Sequence, residues 1–497
     1  MTDSPRVRIA PSPTGPLHIG TARTALFNYL FARHTGGTFV LRLEDTDQAR
    51  SSIAYEKDIL DGLHWLGLTW DEGPEVAGEG ARGPHGPYRQ MERLPLYAAA
   101  ADRLLAADMA YRCYCTAEEL DADRKAQEAA KLPPRYVGRC AALTADERAA
   151  REAEGRRAAV RFRVGDGLVA FDDIVRGHVE FDAANLGGDF VIVRGDGSPL
   201  YHFTVVVDDA AMQISHVIRG EDHLSNTPKH ILLFRALGYP EPRFAHLPLI
   251  LNADRTKMSK RKSQTAIADY IAEGFIREAL VNYLALLGWA TGTEEEVLSI
   301  DEIVERFDLD SVHKGGAVFD RERLEWLNGQ WIRRLAPDDL IERLRPFIEA
   351  EHVAGRIDWI PSDDELRAIL PVVRERLPTL GSIGDLAGFL WVRSVAVDTA
   401  VLVPKRWDPA TTRDGLTAAR STIAAVGEVA FEADELEPPL RALAEARGWK
   451  AGDLFMAIRV AVTGRTATPP LFDTIVALGR ERTLERLDRA TEALASG

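Results

Sequence analysis

Two short stretches of the chain carry side chains suited to handling phosphate. His18-Ile19-Gly20-Thr21 sits between a β-rich run and the start of a helical pattern, where backbone N–H groups and the helix dipole favour an anion. His18 is placed to donate to a phosphate oxygen, and Gly20 lets a flat base or a phosphate approach the backbone. Far downstream, Lys257-Met258-Ser259-Lys260-Arg261-Lys262 gathers four cations within six residues just after a strand. Cations there can neutralise charge building on a departing pyrophosphate, an effect worth about 3–4 kcal/mol per well-placed group. Taken singly, each stretch has a plainer reading, a surface histidine in a turn and a solvated charge run. Together they read as a phosphate site and a mobile clamp. The sequence contains no GxxxxGKS/T loop, which excludes a Walker-type NTPase, and no GxGxxG, which disfavours a dinucleotide enzyme.

Both stretches need elements to hold them. Residues 5–10 read as a strand with Val7 and Ile9 on one face, followed by the turn Pro11–Pro16. Ala22, Ala25, Leu26, Tyr29 and Leu30 then recur at helical spacing, with Thr21 as the expected N-cap and Gly36-Gly37 as the stop. Thr38–Leu43 is a second β-rich run that leads into Glu44-Asp45-Thr46-Asp47. Strand, helix and strand within about 40 residues form a βαβ unit and imply a parallel sheet. A second such unit has a strand at 213–219, a helix carrying Ile231, Leu232, Phe234 and Leu237, and a strand at 247–251 that opens into the basic loop. The stretch between the two units, with an Ala/Glu/Arg-rich helical segment near 117–155, reads as an insertion in a split α/β domain. Beyond residue 265 helical periodicity dominates, punctuated by Pro337, Pro346, Pro361, Pro404 and Pro409, which predicts an all-helical C-terminal third in two small bundles.

Composition bounds the class. A length of 497 residues implies about three to five domains, and an apolar fraction of 46% is enough for real cores. Three cysteines cannot staple a secreted fold of this length, so a reducing compartment is expected. The N-terminus lacks an apolar h-region and no run of 18 apolar residues occurs, so neither a signal peptide nor a membrane span is predicted. The net charge of −15 does not exclude nucleic acid, because 61 basic residues can still build a positive face locally.

PSPTGPLHIGT at 11–21, Glu44–Asp47, VIRGEDH at 217–223 and KMSKR at 257–261 stand in the order and spacing of a class I aminoacyl-tRNA synthetase. The chain resembles the bacterial glutamyl-tRNA synthetases in particular, over its whole length, since GPHGPYRQMERLPLY, SPLYHFTVVVDD and GGAVFDRERLEWLNG are also similar to that family. Thr21 replaces the histidine of the general class I motif, as is usual for glutamyl enzymes. The resemblance implies an α/β fold, with a split Rossmann-like parallel-sheet catalytic domain and an α+β insert, followed by all-α C-terminal domains. The expected boundaries are a catalytic domain at 1–98 and 203–251, an acceptor-stem-binding insert at 99–202, a stem-contact region at 252–336, and anticodon-binding domains at 337–390 and 391–497.

The implied activity is ATP-dependent activation of L-glutamate, then transfer to the 3′-terminal adenosine of tRNA(Glu), with Mg²⁺ accompanying the ATP. By resemblance His18 and Lys260 stabilise transition-state charge, with Lys257 assisting. Gly20, Met258, Ser259, Lys260 and Arg261 bind ATP. Arg8 and Arg219, at strand ends, face the crevice where ligands of open α/β sheets bind and match carboxylates. Glu44 suits the ammonium group, and Ser12 and Tyr201 fall at positions that hydrogen-bond the substrate. Arg219 disfavours a glutaminyl-tRNA synthetase, because a neutral side chain would leave it unpaired. The helical C-terminal part disfavours the shorter tRNA-modifying glutamylating relative. Arg374 and Arg376 fall where glutamyl enzymes contact an anticodon base, and Thr468–Phe472 resembles a turn that touches the same anticodon. The resemblance further implies a cytoplasmic monomer with no membrane partner.

Cys113, Cys115 and Cys140 cluster in sequence, and CxC with a distant third cysteine suits tetrahedral Zn²⁺. Relatives often add a histidine two residues beyond the third cysteine, where this chain has Ala142. Tyr136 instead matches a Tyr-x-x-x-Cys variant of the tRNA-modifying relative. Reduced structural thiols without metal are the alternative.

Overall fold

The computed structural model describes residues 4–75, 80–258, 265–427 and 431–496. It comprises two compact units, Met1–Asp269 with Leu280–Asp320, and Tyr270–Ala279 with Arg321–Gly497.

The first unit begins with strand β1 (Arg6–Ile9), helix α1 (Ile19–Thr35) and strand β2 (Thr38–Leu41). β1 and β2 pair in parallel, with Val7 opposite Phe39 and Ile9 opposite Leu41. α1 buries residues on nearly every side, including Ile19, Ala22, Leu26, Phe27 and Leu30, as a helix sandwiched between layers must. Its N-cap is His18 and not Thr21, which lies in the first turn: the imidazole accepts from the N–H groups of Gly20 and Thr21. The helix ends on Gly36 in the left-handed region, φ 63°. Gly37 is required by close approach, since a Cβ there would lie 2.3 Å from the Pro5 carbonyl oxygen.

Helices α2 (Ile53–Trp65) and α3 (Leu94–Ala106) follow, then strand β3 (Ala110–Cys113). The segment expected to be helical over 117–155 forms two helices, α4 (Ala117–Ala129) and α5 (Ala145–Ala153). Each opens with a capping box, Thr116/Glu119 and Thr144/Glu147, and Pro133-Pro134 falls in the gap, where the chain cannot stay helical. Strands β4 (Ala159–Phe162), β5 (Leu168–Asp173), β6 (Gly177–Asp182) and β7 (Phe190–Val193) complete this stretch. β3, β4 and β7 form an antiparallel sheet of their own.

Helix α6 (Tyr201–Ala211), strand β8 (His216–Gly220), helix α7 (Thr227–Leu237) and strand β9 (Arg243–Leu247) make the second βαβ unit, with β8 and β9 parallel. The β5–β6 hairpin adds to this sheet, β5 running parallel to β9 with Asp173 opposite Phe244. Ser215 ties β8 to β1: its N–H donates to the Arg6 carbonyl at 3.0 Å and its Oγ accepts from the Arg6 N–H at 2.8 Å. The strand expected at 247–251 is broken at Pro248, which lacks an N–H, into β9 and a short strand β10 (Ile250–Leu251). β10 pairs in parallel with β11 (Ala317–Val318), a short strand within the stretch beyond residue 265 where helical periodicity dominates. α3, α6 and α7 pack on one another through Leu104, Phe203, Val206, Leu233 and Phe234.

Among its described residues the second unit is helical, with the main helices at 321–334, 337–353, 363–373, 409–425, 433–446, 451–463, 471–478 and 480–496. Leu344, Leu366, Trp391, Leu416, Leu440, Ile458 and Leu487 form its buried core. Pro337 and Pro409 occupy first turns, where a missing N–H matters least. Pro346 does not punctuate as expected but lies inside the 337–353 helix, which is held on both sides by buried Leu344 and Ile348.

Candidate active site

A cavity of about 880 Å³ opens in the first unit, and Arg8, Ser12, His18, Gly20, Glu44, Tyr201, Arg219, Lys257 and Met258 all line it. Residues from the two distant βαβ units thus meet at one crevice, at the carboxyl ends of β1 and β8. Ser259, Lys260 and Arg261 lie outside the described residues.

On the His18 side, the imidazole Nδ1 accepts from the N–H of Gly20 at 3.1 Å and of Thr21 at 3.3 Å. Nδ1 therefore carries the lone pair and the ring proton sits on Nε2, 3.0 Å from Thr21 Oγ1. A Cβ on residue 20 would lie 3.1 Å from both Cε1 and Nδ1 of that ring, so glycine is what lets the imidazole close the helix end. Lys257 Nζ pairs with Asp222 Oδ2 at 3.2 Å, both groups being largely exposed. Behind the site, buried Arg23 donates to the carbonyl oxygens of Leu287 and Pro248, and burial pulls its pKa down to about 10.

The opposite wall is a dense buried charge network. Arg8 pairs with Asp209 at 3.1 Å, Arg42 with Asp209 at 2.8 Å and with Glu44 at 3.1 Å, and Arg93 with Asp208 at 2.6 Å. Gln90 and the Tyr97 hydroxyl also donate to Asp208, at 2.8 Å and 2.9 Å. Arg8, Arg42 and Arg93 thus face Glu44, Asp208 and Asp209, and the charges balance, which is the condition for burying them. Burial pushes the Glu44 carboxyl up, against the opposing pull of Arg42 and Arg8. Asp208, Asp209, Arg42 and Arg93 do not line the cavity but brace Arg8 and Glu44, which do, and two adjacent aspartates in the apolar run VVVDDAA are the visible signal of that support.

Arg219 stands apart from that network. Its Nε donates to His246 Nε2 at 3.1 Å, one terminal nitrogen to His230 Nδ1 at 3.2 Å, and the other to Thr227 Oγ1 at 2.8 Å and the His223 carbonyl at 3.4 Å. Every one of these partners is neutral. Among the described residues Arg219 makes no ion pair, although it is buried, and burial lowers its pKa. Burial also holds His230 and His246 below the ordinary histidine value and pulls His202 and His223 down to about 4. The Tyr201 hydroxyl lies 2.9 Å from His223 Nδ1, and burial pushes it up to about 12.

Away from the cavity, Cys113, Cys115 and Cys140 converge, with their sulfurs within 4.8 Å of one another. Tyr136 Oη lies 3.5 Å from Sγ of both Cys113 and Cys115, and Sγ of Cys115 lies 3.6 Å from that of Cys140. A tetrahedral zinc with bonds of ~2.3 Å to sulfur and ~2.0 Å to oxygen needs edges of ~3.5–3.8 Å, which the Tyr136–Cys113, Tyr136–Cys115 and Cys115–Cys140 separations match. Arg161 donates to Cys113 Sγ at 3.3 Å and lies 3.8 Å over the Tyr136 ring, a cation beside ligands that would together exceed the metal's charge. Ala142 offers no ligand.

In the second unit Arg374 donates to the carbonyl oxygens of Arg333 and Leu335, at the end of the 321–334 helix. Arg376 is exposed and donates to the Thr468 carbonyl at 3.2 Å, so it and the 468–472 turn come together. Arg459 reaches the same turn, donating to Thr468 and to the Pro469 carbonyl at 2.8 Å.

Comparison with known proteins places this geometry. Residues 5–326 match the catalytic domain of class I tRNA synthetases of the E and Q type, and residues 339–491 match an anticodon binding domain. The chain is 47% identical to a glutamate–tRNA ligase of Heliobacterium modesticaldum, over 98% of this chain and 97% of that protein. It is 45% identical to one of Symbiobacterium thermophilum, over 97% and 98%. The crystal structure of a glutamate tRNA ligase from Elizabethkingia meningosepticum, in complex with its amino acid, superposes with a TM-score of 0.87 at 34% identity, covering 99% of this chain and all of that one.

Proposed function

The chain belongs to the glutamate–tRNA ligases, within the class I tRNA synthetases, and we propose that it activates L-glutamate with ATP and esterifies tRNA(Glu) through the cavity around Arg219. The observation that carries this reading is the contrast between the arginines. Arg8, Arg42 and Arg93 are matched by carboxylates, whereas Arg219 brings a buried charge to the cavity wall with neutral partners only. An anionic side chain resolves that imbalance, and the neutral carboxamide of glutamine does not.

Glutamate's γ-carboxylate takes Arg219, its ammonium takes Glu44, and Arg8, Ser12 and Tyr201 complete the pocket. The α-carboxylate oxygen attacks the α-phosphorus of ATP, the bond to the β-phosphate bridge breaks, and pyrophosphate leaves. A hydroxyl of the terminal ribose of the tRNA then attacks the acyl carbon and AMP departs. These steps depend on positioning and charge stabilisation. His18 supplies an oriented Nε2–H, Gly20 and Met258 border the nucleotide, and Lys257, Ser259, Lys260 and Arg261 supply the cationic side. Mg²⁺ bound with ATP neutralises phosphate charge. Cys113, Cys115, Cys140 and Tyr136 hold a structural Zn²⁺, and Arg376 with the 468–472 turn reads the anticodon.

The test is ATP–pyrophosphate exchange with glutamate or glutamine, each with and without tRNA, since the family resemblance implies that tRNA must be bound for activation. Exchange with glutamate plus tRNA is expected. Exchange with glutamine would overturn the Arg219 argument, and exchange without tRNA would point to the tRNA-modifying relative.

A further inference from the structure

Arg219 must be held in place without being neutralised. A carboxylate touching the guanidinium would orient it but would also remove the charge that draws an anionic substrate. The neutral partners seen here solve that, provided each imidazole turns a lone pair toward the arginine. His246 Nε2 lies 3.1 Å from Arg219 Nε, a group that can only donate, and 3.0 Å from Thr227 Oγ1, which can donate, so an unprotonated Nε2 is the state that satisfies both. The ring proton is therefore on Nδ1, which lies 2.6 Å from Asp173 Oδ2, both side chains being fully buried.

Asp173 is itself fixed. Its other oxygen, Oδ1, accepts from the backbone N–H groups of Arg176 at 2.8 Å, Val175 at 3.0 Å and His246 at 3.2 Å. Burial works against its charge, yet His246 and these N–H groups keep the carboxyl below its usual range. It is thus an acceptor on both oxygens, and only the Nδ1–H tautomer of His246 satisfies it. Asp173 ends β5, in the hairpin that adds to the catalytic sheet beside β9, where His246 sits.

We propose that Asp173 and His246 are positioning residues for the glutamate side chain: Asp173 sets the His246 tautomer, and His246 then aims Arg219 at the cavity while leaving its charge for the substrate. This rests on the reading that Arg219 receives the γ-carboxylate. The carboxylate lies one imidazole away from the arginine, so it directs a hydrogen bond without forming an ion pair.

Asp173→Asn is the discriminating variant. Oδ1 keeps its three N–H donors, so the new amide nitrogen faces His246 Nδ1 and can only donate. His246 must then carry its proton on Nε2, where Thr227 Oγ1 at 3.0 Å can accept it but the Arg219 N–H cannot, so the hydrogen bond that aims Arg219 is lost. In tRNA-dependent exchange the KM for glutamate should rise about 10–100-fold, the value of a hydrogen bond to a charged group, with kcat and the ATP KM little changed. The glutamate-over-glutamine preference should fall by the same factor. His246→Gln, which offers a carbonyl oxygen with no tautomer to invert, should hold the glutamate KM near wild type and make Asp173→Asn nearly silent in the double variant. Should Asp173→Asn fail to fold, His246→Leu against His246→Gln carries the same test, since only the former removes the acceptor. An unchanged glutamate KM in a folded Asp173→Asn protein, or a loss confined to kcat, overturns the proposal while wild-type exchange leaves the functional reading intact. A wild-type protein inactive with glutamate overturns both.

Discussion

At the scale of single residues, the cavity works because a few side chains are denied alternatives. His18 is an instance: two backbone N–H groups occupy Nδ1, which fixes the ring proton on Nε2, beside Thr21 Oγ1 at 3.0 Å. Gly20 makes that arrangement possible, and the consequence is measurable. Gly20→Ala adds a methyl 3.1 Å from the ring in the first turn of a helix. The backbone loses nothing, since alanine is the better helix former by about 1 kcal/mol. The imidazole, however, must move by a few tenths of an ångström or leave its cap. Misplacement of a group that acts by position costs up to about 10²-fold, so kcat for glutamate activation should fall towards that extent with the glutamate KM nearly constant. Thermal melting should be unchanged or slightly higher. A variant with full turnover would show that His18 contributes nothing to the transition state.

At the scale of elements, what the sequence disclosed was what neighbours in sequence determine. The strand at 6–9 and the helix stop at Gly36 are signalled within a few residues, and the motifs around them carry the family likeness. Threonine is a usual cap and points to Thr21, but the histidine three residues earlier starts the helix sooner, its ring accepting from the N–H groups of Gly20 and Thr21. Contacts made across the fold were invisible. Asp208 and Asp209 answer arginines at 93, 42 and 8, and Asp173 acts on a histidine delivered by another strand. The cysteines fall between these cases, since CxC is local but Cys140 and Tyr136 arrive on a separate loop beyond α4. If the four form a zinc site, the metal closes that loop onto β3. Purified protein should contain about one equivalent of zinc per chain, and its removal by a chelator should lower the melting temperature without altering the glutamate KM. Tyr136→Phe should weaken zinc retention while Cys115→Ser abolishes it. Protein that is metal-free as isolated and melts identically with and without chelator would leave the three thiols merely packed.

For the whole molecule, an excess of acidic residues coexists with a nucleic-acid partner because charge acts where it is placed. A net charge of −15 says little about a site whose cations are committed one by one. Arg374 and Arg376 make the point, being two residues apart and equal in charge. Arg374 spends its guanidinium on the carbonyl ends of the 321–334 helix, through Arg333 and Leu335. Arg376 is exposed, donates among the described residues to the Thr468 carbonyl at 3.2 Å, and has further N–H donors in its guanidinium. The two substitutions should therefore fail in different ways. Arg374→Ala removes the partner of two helix-terminal carbonyls and should lower stability by about 1–3 kcal/mol, seen as an earlier thermal transition, with the tRNA KM of the folded protein near normal. If Arg376 reads the anticodon as proposed, Arg376→Ala should leave melting unchanged and raise the tRNA KM by the equivalent of about 1–3 kcal/mol, with reduced discrimination at the anticodon. The KM values for glutamate and ATP should not respond, since the pocket proposed for those ligands lies in the first unit. If Arg376→Ala instead destabilises the protein and leaves tRNA charging intact, the 468–472 turn is a structural latch and the anticodon is read elsewhere.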